Sequence, residues 1–314
     1  MKKAPVYDLS VGKRADLSVV IPSYRPGELI YKCLESVFAQ NTRAFYEVIV
    51  VDSSPDDLGF PIRKRFPRVR FIGLPGRTLS GRARSIGAAR AMGRIVFFTD
   101  TDCVVNPDWM ERLLEGHRHG YRIVGGSIVN GTPDSYVGTT EYLLEFNEMN
   151  PFVRAGIVQA LPSCNLSVHT SVFQEVGYFP DFMKGEDTIF CCRASERGIG
   201  ILFRPDAKIT HMNRTGLVNY LKNQVSLGEG ANETRRRTKR HGSFLIQYPF
   251  LIPLIPLYRS WIVGKRFLRS NVSLFWNYIR HYPLVFTGLL FYTWGFIRGP
   301  HRLGLSTEHP KRKE

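Results

Sequence analysis

Two aspartates one residue apart, Asp100 and Asp102, follow directly on the apolar run "RIVFFT". Removing two neighbouring carboxylates from water is costly unless a cation or a set of hydrogen-bond donors compensates their charge. Hard divalent cations such as Mg²⁺ and Mn²⁺ are commonly held by one or two carboxylates together with substrate phosphates. The pair therefore predicts a divalent-cation site, and its place at the end of an apolar run strengthens a motif that is weak by itself.

Polar side chains follow two other apolar runs in the same way. Ser23, Tyr24 and Arg25 come after "LSVVIP", and Asp52 ends "YEVIVVD". In an open parallel sheet, ligands bind beyond the carboxyl ends of the strands. We therefore expect these residues to share one edge of a sheet with Asp100.

The elements that must position these residues form an α/β pattern. Short runs rich in Val, Ile and Phe alternate with helix-like segments, which is typical of strand and helix units around a mostly parallel sheet. The predicted strands include "LSVVIP", "YEVIVVD", "VRFIGLP" and "RIVFFTD", and the predicted helices include "SGRARSIGAARAMG", "NPDWMERLLEGHRHG" and "GEDTIFCCRASERG". The stretch "IGILFRPDAKITH" predicts two short strands, and the segment Gly131 to Gly156 has no assignable pattern.

Five motifs together resemble the family 2 glycosyltransferases. They are "VVIPSYRPGELIYKCLESVFAQ", "YEVIVVDSSPDD", "GRARSIGAARAMGRIVFFTDTDC", "CNLSVHTSVFQEVGYF" and "GEDTIFCCRASERG". Their order and spacing match the family over roughly Leu17 to Arg237. The resemblance implies a GT-A fold, a Rossmann-like α/β domain with a mostly parallel central sheet that binds nucleotide sugars.

The resemblance also implies a set of nucleotide-sugar-binding residues. Pro22, Tyr24 and Asp52 would line the nucleoside pocket, where the Asp52 carboxylate would accept a hydrogen bond from the base. Arg84 would lie near the diphosphate. Asp100 would face either the ribose or the metal.

The implied reaction centre comprises a cation site and a base. Asp102, with Asp100 as a second candidate ligand, would hold Mn²⁺ or Mg²⁺ against the diphosphate. His211 stands where related enzymes often place a histidine near the nucleotide, which makes it a third candidate metal ligand, and a purely structural role for it stays open. Asp187 would be the general base, while Glu186 would either orient the acceptor or cap its helix.

These roles lead us to expect an inverting, metal-dependent glycosyltransferase. One base on the far side of the sugar gives a single in-line displacement, hence inversion. The segment "KNQVSLGEGANETRRR" lacks a Gln-x-x-Arg-Trp motif, which argues for transfer of one sugar to a hydroxyl of a glycan or lipid-linked acceptor. Two alternatives stay open: a polyprenyl-phosphate glycosyltransferase, and a non-catalytic membrane-tethered module that binds nucleotide sugars.

The positive charge of the chain is concentrated near its C-terminal end. The formal net charge is +16, and residues 235–314 contribute +13 of it through 15 Lys and Arg against two acidic residues. These charges alternate with "FLIQYPFLIPLIPLY" and "YPLVFTGLLFYTWGFI", which are too apolar for a nucleic-acid face. We therefore predict a membrane surface as the partner of residues 244–302, and no nucleic acid.

Two apolar segments of this region are candidate spans, Phe244 to Val263 and Tyr282 to Ile297. Prolines and Arg259 interrupt the first, the second is short, and two spans would leave a basic loop outside, against the positive-inside tendency. Helices lying on the membrane therefore fit better. Two short spans and a buried helix pair remain alternatives.

The predicted organisation has three parts: an N-terminal extension (1–16), a GT-A catalytic domain (17–240) and a basic, aromatic-rich membrane-associating tail (241–314). The five cysteines are scattered without CxxC pairing, which favours reduced thiols. The residues before the first strand contain no apolar signal-like run. We therefore expect the protein at the cytoplasmic face of the cell membrane.

Overall fold

The computed structural model of the protein describes residues 15–238 and 242–299. Most of the predicted N-terminal extension and the last 15 residues of the predicted tail lie outside the described residues. So do residues 300–302 of the predicted membrane-binding range.

A mixed sheet forms the centre of the α/β architecture, which confirms the predicted fold class. Its hydrogen-bonded order is β3-β2-β1-β4-β8-β6-β9-β5, and β7 pairs with β9. The strands are β1 (Leu17–Ser23), β2 (Tyr46–Asp52), β3 (Val69–Gly73), β4 (Ile95–Phe98), β5 (Cys103–Val105), β6 (Ile123–Asn130), β7 (Gly156–Ile157), β8 (Leu166–His169) and β9 (Ile201–His211). Strands β1 to β4 run parallel, and β8 joins β4 in the antiparallel direction.

The helices and two 3₁₀ turns connect these strands and form the C-terminal region. They are α1 (Leu29–Phe38), α2 (Gly59–Arg65), α3 (Ser80–Ala89), α4 (Trp109–Arg118), α5 (Tyr136–Glu145), α6 (Thr170–Val176), α7 (Glu186–Glu196), α8 (Leu217–Arg237), α9 (Phe244–Gln247), α10 (Ile255–Ser270) and α11 (Val272–Arg298), with 3₁₀ turns at Ser163–Asn165 and Pro249–Leu254. The segment that had no sequence assignment contains α5. The predicted helical C-terminal segment is present as α9 to α11.

Strand β1 is buried along its whole length and β2 and β4 along most of theirs, as near-continuous apolar runs require, whereas the edge strand β3 is partly exposed. Val20 and Val51 lie so close to α3 that a Cβ on Gly87 would come within 2.4 Å of the Val20 side chain. A small residue at this position therefore allows α3 to approach the sheet. Arg84, one turn before Gly87 on α3, contacts Asp100 just after β4.

The predicted pair of short strands at "IGILFRPDAKITH" is wrong, since β9 is one continuous strand of 11 residues. Pro205 and Asp206 favour a turn by composition. Here the Pro205 carbonyl accepts a hydrogen bond from Ser127 Oγ (2.7 Å), and the Asp206 carboxylate pairs with Arg204 (2.7 Å). The tertiary contact with Ser127 of β6 and the local pair of Arg204 with Asp206 are both compatible with extended backbone, and β9 reaches His211 without a break.

The chain forms two compact units. The first comprises the residues up to Val129, Met149–Asp181 and Phe190–His211, and thus the sheet. The second comprises Asn130–Glu148, Phe182–Ile189 and the residues from Met212 onward. The predicted division at residue 240 groups α8 with the strands, whereas in the structure α8 packs with α11 in the second unit.

The second unit is built on close helix packing. A Cβ on Gly295 of α11 would lie 2.0 Å from the Val225 carbonyl oxygen of α8, and a Cβ on Gly228 would lie 2.0 Å from the Tyr292 carbonyl oxygen. Glycines on both helices therefore let the two backbones touch. Ile255, Tyr292 and Phe296 form an apolar core beside this contact.

Within residues 15–238 and 242–299, no helix has both the length and the apolar character needed to cross a membrane.

Candidate active site

The carboxyl ends of β2, β1 and β4 form one edge of the sheet in the first unit. Ser23, the last residue of β1, lies opposite Asp52, the last residue of β2, in the parallel register. Thr99 follows β4, and its amide donates to the Val20 carbonyl of β1 (3.4 Å). The topology therefore brings the three polar strand ends to one edge, as parallel strands require.

Asp100 is held at this edge by Arg84 of α3. Arg84 Nη2 donates to Asp100 Oδ1 at 2.5 Å, and the Arg84 side chain is only 3% exposed while that of Asp100 is 29% exposed. The buried Cys33 thiol of α1 donates to the backbone carbonyl oxygen of Asp100 (3.3 Å), and burial raises the pKa of this thiol. Arg84 and Asp100, whose predicted roles were separate, thus form a direct ion pair, which compensates the charge of one of the two aspartates.

Asp102 has a different neighbour, His211. Strand β5 pairs with β9 in the antiparallel direction so that Cys103 lies opposite His211. This pairing places His211 Nε2 at 3.6 Å from Asp102 Oδ2. The two residues predicted as metal ligands from distant parts of the sequence therefore lie side by side.

The donor atoms at this point fit a divalent cation. Ligand atoms of Asp102, Cys103 and His211 lie within 4.8 Å of one another. Carboxylate oxygen and imidazole nitrogen are both ligands that Mn²⁺ accepts, and carboxylate suits Mg²⁺ as well. Burial raises the pKa of the Cys103 thiol, and sulfur is a soft ligand that suits the hard ions Mg²⁺ and Mn²⁺ poorly. Asp102 and His211 are consequently the residues that would hold the cation.

The Asp52 carboxylate is buried and bound by Ser54. Its Oδ1 accepts from Ser54 Oγ (2.8 Å) and its Oδ2 from the Ser54 amide (3.1 Å). Ser54 Oγ in turn accepts from the amide of Arg25, a residue in the left-handed region with φ 47°. Ser54 thus links the ends of β1 and β2, a role that our sequence analysis missed although Asp-x-Ser is a common turn pattern.

Tyr24 projects beyond the end of β1 between two arginines. Its side chain is partly exposed, and the guanidinium carbons of Arg77 and Arg25 lie 5.1 and 5.7 Å from the ring centroid. Both distances are within the range of cation–π attraction. Arg77 lies on the loop between β3 and α3, and our sequence analysis did not single it out.

Two buried hydroxyl groups lie at the same strand ends. Ser23 Oγ and Thr99 Oγ1 have no hydrogen-bond partner among the described residues. Buried hydroxyls are normally paired, so such atoms mark positions where a ligand or water supplies the partner. No sequence pattern distinguishes them from ordinary strand residues.

Glu186 and Asp187 begin α7 and belong to the second unit. Glu186 is buried, and Asp187 Oδ1 accepts from the Thr188 amide (2.6 Å). Gly185, just before them, has φ 90°, and a Cβ there would lie 2.5 Å from Thr234 Oγ1 of α8. The start of α7 is therefore fixed against α8 within that unit, and the acids sit where a helix N-terminus favours negative charge.

Comparison with known proteins identifies a family for this chain. The model of the family described as "Glycosyl transferase family 2" matches residues 18–177. Glycosyltransferase AglE of Haloferax volcanii is 29% identical over 223 residues, which cover 68% of this chain and 72% of AglE. The succinoglycan biosynthesis protein ExoO of Rhizobium meliloti is 32% identical over 108 residues, which cover 34% of this chain and only 31% of ExoO.

Solved structures share the fold at low sequence identity. The mannosyltransferase PcManGT of Pyrobaculum calidifontis, in complex with GDP-Man and Mn²⁺, superposes with a TM-score of 0.62 at 16% identity, covering 91% of this chain and 88% of that one. TarS of S. aureus, in complex with UDP-GlcNAc, superposes with a TM-score of 0.51 at 17% identity, covering 91% and 93%.

Proposed function

The chain belongs to glycosyl transferase family 2, and on this premise we propose that it transfers one sugar from a nucleotide-diphosphate sugar to an acceptor hydroxyl, with inversion and with a divalent cation. The observation that carries the proposal is the contact of Asp102 with His211 next to the ion pair of Arg84 with Asp100. The fold-related proteins bound to GDP-Man with Mn²⁺ and to UDP-GlcNAc support a donor of the nucleotide-diphosphate class.

The first unit would bind the donor. Tyr24 and Asp52 would hold the nucleoside, with Pro22 as part of the same wall. Arg84 brings a buried positive charge to the edge where the diphosphate would lie, and it fixes Asp100 for a contact with the ribose. Asp102 and His211 would hold Mn²⁺ or Mg²⁺, which would act as a Lewis acid and neutralise charge on the leaving diphosphate.

Asp187 would take up the proton of the acceptor hydroxyl. As the acceptor oxygen forms its bond to the anomeric carbon, the bond from that carbon to the diphosphate oxygen breaks and the nucleoside diphosphate leaves. The proton passes to the Asp187 carboxylate, so atoms and charges balance in one displacement that inverts the anomeric carbon. Glu186 would orient the acceptor from the preceding position.

A glycan or a lipid-linked saccharide is the acceptor class that we propose. The basic, aromatic C-terminal helices support an acceptor presented at a membrane, because such residues are typical of the membrane interface. A polyprenyl phosphate is the alternative acceptor. Its oxygen is already ionised and needs no strong base.

The test is a panel of UDP- and GDP-sugars incubated with the purified full chain, Mn²⁺ and either a saccharide or a polyprenyl phosphate. We expect acceptor-dependent release of nucleoside diphosphate with one donor. Asp187→Asn should lower transfer to hydroxyl acceptors by at least about 100-fold. The matched control Asp181→Asn, an exposed acid that pairs with Arg82, should keep the wild-type rate.

Other outcomes would overturn parts of the proposal. Undiminished transfer to a polyprenyl phosphate by Asp187→Asn would establish the phosphate acceptor instead. If the chain bound a donor but transferred sugar to no acceptor, the result would support the non-catalytic nucleotide-sugar-binding module instead of an enzyme.

A further inference from the structure

Helix α11 carries an apolar stripe on its exposed side. The stripe residues are spaced by three, four or seven positions, which places them on one helix face. They are Trp276, Ile279, Pro283, Leu290, Trp294 and Ile297. Trp276 is 64% and Trp294 58% exposed, although large aromatic side chains usually lie in the interior of soluble proteins.

The opposite side of α11 is already used for packing within the second unit. Gly288 lies so close to Tyr220 of α8 that a Cβ would meet the Tyr220 hydroxyl at 1.8 Å, and Phe296 is fully buried. The helix therefore has two apolar faces, of which the described residues of its own unit cover only one. An apolar face that the unit does not bury requires another explanation.

Helix α10 extends the exposed apolar surface. It packs against α11 as an antiparallel hairpin, in which Phe267 contacts Tyr278 and the Tyr278 hydroxyl donates to the Ser260 carbonyl (2.9 Å). Leu257 and Trp261 on its outer side are each 59% exposed. Three of the four tryptophans in the chain are thus exposed on this hairpin, while the fourth, Trp109, is fully buried in the first unit.

The charged residues around these apolar stripes are all basic. Residues 244–299 contain six Lys and Arg and no Asp or Glu. Lys265, Arg269 and Arg280 are exposed, and Lys265 Nζ lies 4.7 Å from the centre of a Trp261 ring. Exposed tryptophans beside Lys and Arg are typical of the membrane interface, where aromatic rings sit at headgroup level and cations meet anionic lipids.

The same charge disfavours the other occupants of this surface. A second copy of the hairpin would bring like charges together, which costs free energy at an interface. A nucleic acid would match the charge but would leave the aliphatic stripe in water. An anionic bilayer satisfies both the charge and the apolar stripe.

We propose that the hairpin of α10 and α11 is a docking surface for an anionic lipid bilayer, with α11 lying in the plane of the headgroups. From Trp276 to Ile297 the stripe extends over about 30 Å of helix. All of its residues reach the same depth only if the helix axis is parallel to the membrane. The inference deepens the proposed function, because a lipid-linked acceptor would be met on the bilayer, but its test needs no catalysis.

The test is flotation of the full chain with vesicles of phosphatidylcholine containing phosphatidylglycerol, compared with pure phosphatidylcholine. We expect binding to the anionic vesicles that falls as salt is raised. Trp276→Ser with Trp294→Ser should lower the vesicle partition by at least about tenfold. Since both side chains are mostly exposed, the fold should be kept, as far-ultraviolet circular dichroism will show.

Two further variants define the surface. Phe60→Ser removes a side chain that is 66% exposed on α2 in the first unit, and it should bind vesicles like the wild type. Arg269→Glu with Arg280→Glu should weaken binding to anionic vesicles by about tenfold. Lipids brominated near the headgroup should quench the tryptophan fluorescence more strongly than lipids brominated near the end of the acyl chain.

Three results would overturn the proposal. They are absence of vesicle binding by the folded wild-type chain, equal loss in Phe60→Ser, and a stable dimer that Trp276→Ser with Trp294→Ser dissociates. With a soluble acceptor, the rate of sugar transfer, measured as release of nucleoside diphosphate, should be unchanged in the tryptophan variants. Failure of vesicle binding would therefore leave the proposed reaction standing, and failure of the reaction would leave the docking surface standing.

Discussion

Arg84 and Asp100 form an ion pair whose partners differ in exposure. The Arg84 guanidinium lies under the edge of the sheet, whereas the Asp100 carboxylate reaches the surface. Breaking such a pair leaves one charge without its partner and costs more than breaking an exposed pair. The two carboxylates have separate partners, since Asp100 pairs with Arg84 and Asp102 lies beside His211.

For Arg84→Met we expect the free energy of unfolding to fall by about 2 kcal/mol, because Asp100 loses its donor. Urea denaturation measures this change. The control Arg82→Met removes an exposed arginine from the 3.4 Å pair with Asp181 and should cost no more than about 0.5 kcal/mol. Asp100→Asn added to Arg84→Met should restore part of the loss. Additive losses in the double variant would show that the two residues are not coupled.

His117 gives a second prediction at the residue scale. Burial lowers the pKa of His117 from 6.5 to about 4. The hydrogen bond to the Tyr121 carbonyl (2.9 Å) acts in the opposite direction and raises this pKa, but burial has the larger effect. Between these two pH values the unfolded chain takes up a proton that the native chain does not. The free energy of unfolding should therefore fall on acidification from pH 6.5 to 4, by up to about 3 kcal/mol from this group.

Chemical denaturation at a series of pH values tests the contribution of His117. His117→Gln should flatten the pH dependence between pH 6.5 and 4 relative to the wild type. His119→Gln, which changes an exposed histidine just after the last residue of α4, should keep the wild-type slope. Identical slopes in all three proteins would contradict the assignment.

The sequence specified individual site residues better than their contacts. Asp100 and Asp102 stand out because two carboxylates one residue apart are costly to remove from water, and the family resemblance added Arg84 and His211. Neither periodicity nor composition could show that Asp102 meets His211, because that contact depends on β5 pairing with β9 across more than 100 residues. Ser54 and Arg77 were missed since a serine in a turn and an arginine in a loop are common everywhere.

At the scale of elements, helices α8 and α11 are held together by glycines. A Cβ at Gly295 would overlap the Val225 carbonyl oxygen at 2.0 Å, and backbone cannot move aside as a flexible side chain can. Alanine is normally favoured over glycine in a helix by about 1 kcal/mol. In this position the steric overlap opposes that preference.

We therefore expect Gly295→Ala to lower the free energy of unfolding by about 2 kcal/mol, despite the higher helix propensity of alanine. Thermal and urea denaturation measure the change. Gly76→Ala is the control, since nothing lies within 4 Å of a Cβ there, and it should be nearly neutral. A stabilised Gly295→Ala protein would show that the two backbones are not in contact.

The bounds of strands and helices were predicted from the sequence where the apolar pattern was regular. They were mispredicted where contacts with distant residues determine the local structure. The four parallel strands were predicted within a few residues. Strand β9 was divided in error at Pro205, and α11 starts at Val272, ten residues before the predicted apolar segment. Its first turns contain polar residues, and the cap formed by Asn271 Oδ1 with the Leu274 amide (3.0 Å) marks the true start.

At the scale of the whole molecule, the chain combines two compact units with different chemistry. The first unit has the strand-end acids and the buried arginine that would bind a nucleotide sugar. The second has the helices whose outer surface is basic and aromatic. The α/β fold was predictable because strand and helix patterns are local, whereas the membership of α8 in the second unit depends on contacts with α11, far along the chain.

The most direct test of the proposed reaction is the rate of acceptor-dependent nucleoside-diphosphate release, measured side by side for the wild type, Asp102→Asn and the control Asp108→Asn. Asp108 is a half-exposed acid six positions further on, which pairs with Arg112. We predict that Asp102→Asn and treatment of the wild type with a chelator each lower the rate by at least about 100-fold, because the leaving diphosphate loses its countercharge. Asp108→Asn should keep the wild-type rate. A wild-type rate for Asp102→Asn, or for the wild type in excess chelator, would contradict a cation-dependent transferase centred on Asp102.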